Sequence, residues 1–93
     1  MESVQDKFIN RFLKEKTYVI DSLAIEHKLS EGDISLLDEA VNLFLFNIMV
    51  SFDGGNDFSE MFEFSFLDKL TGESVIDSNK IALHERLFEL DDE

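Results

Sequence analysis

The stretch from Leu43 to Phe52 constrains the chain more than any other. Read as a helix, Leu43-Phe44-Leu45-Phe46-Asn47-Ile48-Met49-Val50 is apolar nearly all round. A helix of that kind is buried on most sides or lies against a partner. It is about half of what spans a bilayer, and Asn47 interrupts it. The rest of the chain, or another molecule, must therefore cover it. With 93 residues the sequence specifies one domain, 1–93, that buries roughly 60–65 % of its unfolded surface in one modest core.

Elements on either side follow from spacing. Val4, Phe8, Ile9, Phe12 and Leu13 recur at helical intervals, predicting an amphipathic helix over Val4 to Lys16. A second helical stretch begins near Thr17, with Val19, Ile20, Leu23, Ala24 and His27 on one face, and either bends away from the first or continues it. Ser30-Glu31-Gly32-Asp33 is a break followed by a start, where Ser30 or Asp33 caps the next helix. That central helix runs from about Ile34 to Phe52, with Leu36, Leu37, Ala40, Val41 and Phe44 inward and Asp38, Glu39 and Asn42 outward. Asp53-Gly54-Gly55-Asn56 ends it.

The period then changes. Phe62-Glu63-Phe64-Ser65-Phe66 alternates as a half-buried strand does, and Ser74-Val75-Ile76-Asp77 reads as its returning partner across a turn at 68–73. Ser78 or Asn79 caps a last segment from Lys80 to Leu90, in which Ile81, His84, Leu87 and Phe88 form a helical stripe, a strand being the alternative. Asp91-Asp92-Glu93 is a frayed acidic end. The expected fold is α+β, mainly α: three or four helices packed with one short β-hairpin around a Phe-rich core.

Charge is distributed unevenly. The chain carries 21 acids and 8 bases, a formal net charge of −13. Residues 1–30 hold five of each sign, so the whole excess lies in residues 31–93. No base occurs between Lys28 and Lys69, a region that holds nine acids and the most hydrophobic part of the chain. Its acids must face outward, making a negative face that repels phosphate backbones and anionic membranes and attracts a cationic partner. A solubilising surface with no partner is the plainer reading of the same charge.

No catalytic signature emerges, and the chain reads as a non-enzyme. Without Cys there is neither a disulfide nor a thiolate site. His84 and Glu85 adjoin, but neighbours on a helix point about 100° apart and form no dyad. The oxygen-rich run Asp53 to Glu60 invites a calcium reading, yet its acids miss the twelve-residue EF-hand spacing, and a helix cap accounts for both glycines. A cation drawn there by the local charge is the alternative. No cofactor and no metal are expected. The first six residues lack the basic-then-apolar pattern of a signal peptide, so the expected compartment is the cytoplasm.

The second half resembles the small acidic immunity proteins that bacteria make against secreted antibacterial toxins. The resemblance lies in the apolar helix ending at Phe52-Asp53-Gly54-Gly55, the hairpin-like run Phe64 to Ile76 with Thr71-Gly72-Glu73, and the closing Leu83-His84-Glu85-Arg86-Leu87-Phe88-Glu89. It transfers no functional residue. It implies a one-to-one complex that blocks a toxin, often a basic nuclease, with no catalysis by this chain.

The sequence therefore reads as a protein inhibitor of the immunity type whose partner is basic, with neither nucleic acid nor membrane bound directly. The expected contacts are Glu31, Asp33, Asp38, Glu39, Asp57, Glu60 and Glu63, with Phe58 as an aromatic anchor inside the acidic rim. The alternatives are a DNA mimic that regulates a nucleic-acid-binding protein, and a structural subunit or homodimer joined through residues 43–52.

Overall fold

The computed structural model describes residues 2–91. Of these, 66 % lie in four helices: α1 (Val4–His27), α2 (Glu31–Phe52), α3 (Phe58–Met61) and α4 (Leu83–Asp91). The protein is all-α. The expected β-hairpin is not formed: among the described residues one isolated antiparallel bridge, Leu67 to Ser74, replaces it. The chain does reverse there, with Val75 N–H donating to Phe66 C=O and Asp68 N–H to Glu73 C=O. Yet Phe64 and Phe66 attach to the helices through their rings, and burial of those rings does not require a strand ladder.

Thr17 does not interrupt α1. Its hydroxyl donates to Leu13 C=O at 3.2 Å, so its polar group is satisfied within the helix and the two expected stretches form one rod. The helix opens on Ser3, whose Oγ accepts from Asp6 N–H, and closes on Lys28 in the left-handed conformation (φ 51°). Ser30 caps α2, whose first residue, Glu31, comes three residues before the expected Ile34. Its Oγ accepts from Asp33 N–H while the Asp33 carboxylate accepts from Ser30 N–H, a reciprocal capping box. Beyond Phe52, Gly54 takes a positive φ of 85°. Gly55 approaches so closely that a Cβ there would lie 2.7 Å from Val50 Cγ1.

Neither Ser78 nor Asn79 caps α4; both belong to a turn around Asp77. The cap comes from Asp53 at the far end of α2, whose two carboxylate oxygens each accept a backbone N–H, from Leu83 and His84, at 2.9 Å. Asp91 is the last residue of α4 rather than a frayed end, and the rest of that expectation, at Asp92 and Glu93, lies outside the described residues.

Ile9, Leu45, Met49, Val75, Leu83 and Leu87 form the buried core, with Phe8, Phe12, Phe52 and Phe66 packed against it. The first half of α1, the second half of α2 and α4 surround it. Near the turn between α1 and α2 a shallow hollow is lined by Leu23 and His27 of α1 and by Asp33, Leu36 and Leu37 of α2. The outcome is elongated, 43 × 33 × 21 Å, with a radius of gyration of 14.9 Å; a compact chain of this length has about 12.3 Å.

Candidate functional site: an apolar face between acidic groups

The α1 stripe packs as its spacing predicts, but α2 is turned otherwise than expected. Leu45 and Met49 face the core, whereas Leu36, Ala40 and Phe44, expected inward, are exposed, as is Leu43. The reason is that the second half of α2 is apolar nearly all round, so its own pattern does not choose a face. The positions of α1 and α4 choose it, and they draw Asp38 and Asn42 of the first half toward Lys16 and Asp91. Similarly, α4 buries Leu83 and Leu87, and turns Phe88 outward, 67 % exposed, between Glu85 and Glu89. The three-four spacing of Leu83, Leu87 and Leu90 was the signal for this orientation.

Two adjoining hollows mark this side of the molecule. One, of about 390 Å³, is lined by Asn42, Leu43, Phe46, Leu87, Phe88 and Asp91. The second, of about 360 Å³, has Phe46 and Phe88 as common walls and adds His84. Phe46 meets the His84 ring edge to face at 5.5 Å.

The acids expected to touch a partner fall into two groups at opposite ends of α2, roughly 30 Å apart by helix rise. Glu31, Asp33, Asp38 and Glu39 lie on its first three turns; Asp57, Glu60 and Glu63 lie in and around α3. Their availability differs. Asp33 is committed to the capping box. Asp38 turns toward α1, where Lys16 Nζ lies 3.1 Å from it, 2.7 Å from Asn42 Oδ1 and 2.8 Å from Asp91 Oδ1. Asn42, expected outward, completes this cross-helix cluster by donating to Asp38 and Asp91. Glu31, Glu39, Asp57, Glu60 and Glu63 are exposed and form no ion pair among the described residues. Phe58 is 43 % exposed and stacks on Phe64 (5.2 Å between centroids, 13°), the outer end of a ring series running through Phe52 to Phe8.

Several cations are turned onto the protein's own acids. Arg86 forks onto Asp6, Nε to Oδ1 at 2.7 Å and Nη2 to Oδ2 at 2.8 Å, which holds the Asp6 carboxyl below the usual range and raises the guanidinium further above its own. Lys7 meets Asp68 at 2.7 Å and likewise lowers the Asp68 carboxyl, aided by the amides of Leu70 and Thr71. Burial works against the Lys16 ammonium, but its hydrogen bonds to Asp91 and Asp38 outweigh this and raise its pKa. Lys80 pairs with Glu73.

His84, adjacent in sequence to Glu85, pairs instead with Asp53: its Nδ1 lies 2.7 Å from Oδ2. The carboxylate is an acceptor, so Nδ1 carries the hydrogen. No hydroxyl joins the ring's other nitrogen among the described residues, so this pair orients α4 and assembles no nucleophile. Both oxygens of Asn56 in the 53–60 loop are similarly occupied, Oδ1 accepting from Phe58 N–H and the backbone C=O from Ser59 Oγ, while Asp57 and Glu60 are exposed at the surface. Among the described residues no three His, Asp or Glu side chains converge as a metal site requires.

Taken whole, α2 is long and apolar enough to cross a membrane by length and composition, and 11 % of its most apolar window is buried. Val41 and Phe52 are partly buried against the core, and Leu36, Leu43, Phe44 and Phe46 are exposed. Comparison with known families, with curated proteins and with solved structures finds no match to this chain.

Proposed function

We propose that this protein is an inhibitor of the immunity type, which binds a cationic protein and neutralises it without catalysis. One observation carries the reading. Among the described residues five of the eight cations, Lys7, Arg11, Lys16, Lys80 and Arg86, are spent on internal pairs and three, Lys14, Lys28 and Lys69, are not. The five acids Glu31, Glu39, Asp57, Glu60 and Glu63, by contrast, all remain exposed and unpaired among the described residues, within the part of the chain that carries the negative excess. Unpaired surface charge of one sign repels itself and gains most from an opposite surface, which it also steers into place. Asp33 and Asp38 contribute field rather than contact, since both are engaged internally.

A homodimer or structural-subunit role is the second reading, and the exposed apolar side of α2 favours it. The DNA-mimic reading draws less support, because its carboxylates must follow a phosphate-like row and the exposed acids stand in two separate groups, one on the first turns of α2 and one in and around α3.

Recovery of bound proteins from the native host at low salt tests the inhibitor reading. The expected catch is a basic protein released as salt is raised. An acidic catch, or binding indifferent to salt, overturns it.

A further inference from the structure

The charge excess explains why a partner is basic; it does not explain the apolar surface. A folded monomer of this length exposes about 5,500 Å², and this one exposes 6765 Å², an excess on the order of 1,000 Å². A standard interface removes about 800 Å² from each partner. The excess is therefore of the size that one docked partner covers.

Its most continuous part is the groove between the outer sides of α2 and α4. Leu43, Phe46 and Phe88 floor it, and the two hollows meet along the Phe46–Phe88 wall. Glu85 lines one edge beside Glu89, whose carboxylate accepts from Arg86 Nη1 at 2.7 Å, and Glu39 stands one turn beyond Leu43 on the other helix. We propose that this groove receives an amphipathic basic helix of the partner protein, apolar side chains entering the two hollows and Lys or Arg meeting Glu39 and Glu85.

Three features select that occupant. Two antiparallel helices leave a furrow into which a third helix fits ridge into groove, with successive hollows suited to side chains one turn apart. Among the described residues an extended strand finds no ladder to join. A second copy would set −13 against −13, with Lys16, Lys80 and Arg86 already committed inside. Lipid would meet carboxylates at the groove edges.

This inference rests on the inhibitor reading and adds the surface and the partner's form. The test uses a labelled synthetic peptide of about 18 residues, Leu at helical spacing on one side and Lys or Arg on the other. A shuffled peptide of the same composition is the control. The patterned peptide is expected to bind about tenfold more tightly than the shuffled one, and Phe88→Ala and Leu43→Ala each to weaken it about tenfold. Both residues are exposed, so the variants keep the parent's thermal unfolding. The paired variant Glu60→Gln with Glu63→Gln leaves this binding unchanged. If both peptides bind equally and the Glu60/Glu63 variant alone weakens them, the groove is wrong and the cationic-partner reading stands. If neither peptide binds at low salt, both fall. A sedimenting dimer broken by Phe88→Ala, or flotation with phosphatidylcholine vesicles, reassigns the groove to a second copy or to lipid and overturns the proposal.

Discussion

Asp53 ends one helix and begins another: its Oδ2 accepts from His84 N–H at 2.9 Å and lies 2.7 Å from the same residue's ring Nδ1. A carboxylate at a helix C-terminus opposes the local dipole, whereas at an N-terminus it complements it. Asp53 stands at both, and its hydrogen bonds to α4 outweigh the unfavourable position on α2. Asp53→Ala should therefore cost about 2 kcal/mol in urea unfolding. His84→Ala should cost about 1 kcal/mol. The double variant should cost less than the sum, because the two share one interaction.

The Lys16 cluster predicts a salt-dependent defect. Lys16→Met leaves Asp38 and Asp91 facing each other with no ammonium between them. The expected loss is about 2 kcal/mol at low ionic strength. Added salt should recover part of it by screening the two carboxylates. A loss that salt leaves unchanged would mean that the lysine stem, rather than its charge, holds α1 to α2 and α4.

Stability should fall at both pH extremes for opposite reasons. The Asp6 carboxyl is lowered from 3.8 by its hydrogen bond to Arg86, so its contribution is present above pH 3.8 and is lost as pH falls through the folded-state value. The Lys16 pKa is raised from 10.5, so its contribution is present below 10.5 and is lost as pH rises through the folded-state value. Asp6→Asn should be less stable than the parent at neutral pH, and the gap should close below pH 3.8. Comparing the two proteins by urea unfolding at each pH removes the general easing of repulsion as other carboxylates protonate.

At the end of α2 the two glycines should fail for different reasons. Gly55→Ala brings a methyl against Val50 at 2.7 Å and should cost about 1–3 kcal/mol. Gly54→Ala has room, but its φ of 85° disfavours a side chain, for a loss of about 1 kcal/mol. Thermal unfolding of both variants measures the difference. An unchanged Gly55→Ala midpoint would show that Val50 yields at no cost.

What the sequence revealed tracks where local physics decides. The stripe of Val4, Phe8, Ile9, Phe12 and Leu13 has charges opposite it, so its inward side was legible. The α2 terminus at Phe52 was legible because glycines follow. The inward side of α2 was not: Leu36, Phe44 and Leu45 are equally apolar, and neighbours distant in sequence choose among them. The strand reading failed at Phe62 to Phe66 because an alternating pattern carries no information about backbone pairing: the Phe64 and Phe66 rings pack on Phe52, whereas Phe62 is 57 % exposed. Five of the acids named from the sequence, Glu31, Glu39, Asp57, Glu60 and Glu63, lie exposed, while the Asp33 and Asp38 carboxylates are engaged by residues three and twenty-two positions away. The groove was hidden by Phe88, which adjoins Leu87 in sequence and faces the other way.

The rings of Phe8, Phe52, Phe64 and Phe66 stand 4.8 to 6.2 Å apart and bind the extended stretch after α3 to the helices. Backbone hydrogen bonds do not do so, and among the described residues the amides from Glu63 to Phe66 donate to no backbone carbonyl. Side-chain order and amide protection are thereby uncoupled along these four residues. Deuterium should enter their backbone at nearly the rate of an unstructured peptide while their aromatic protons keep the dispersed resonances of a packed interior.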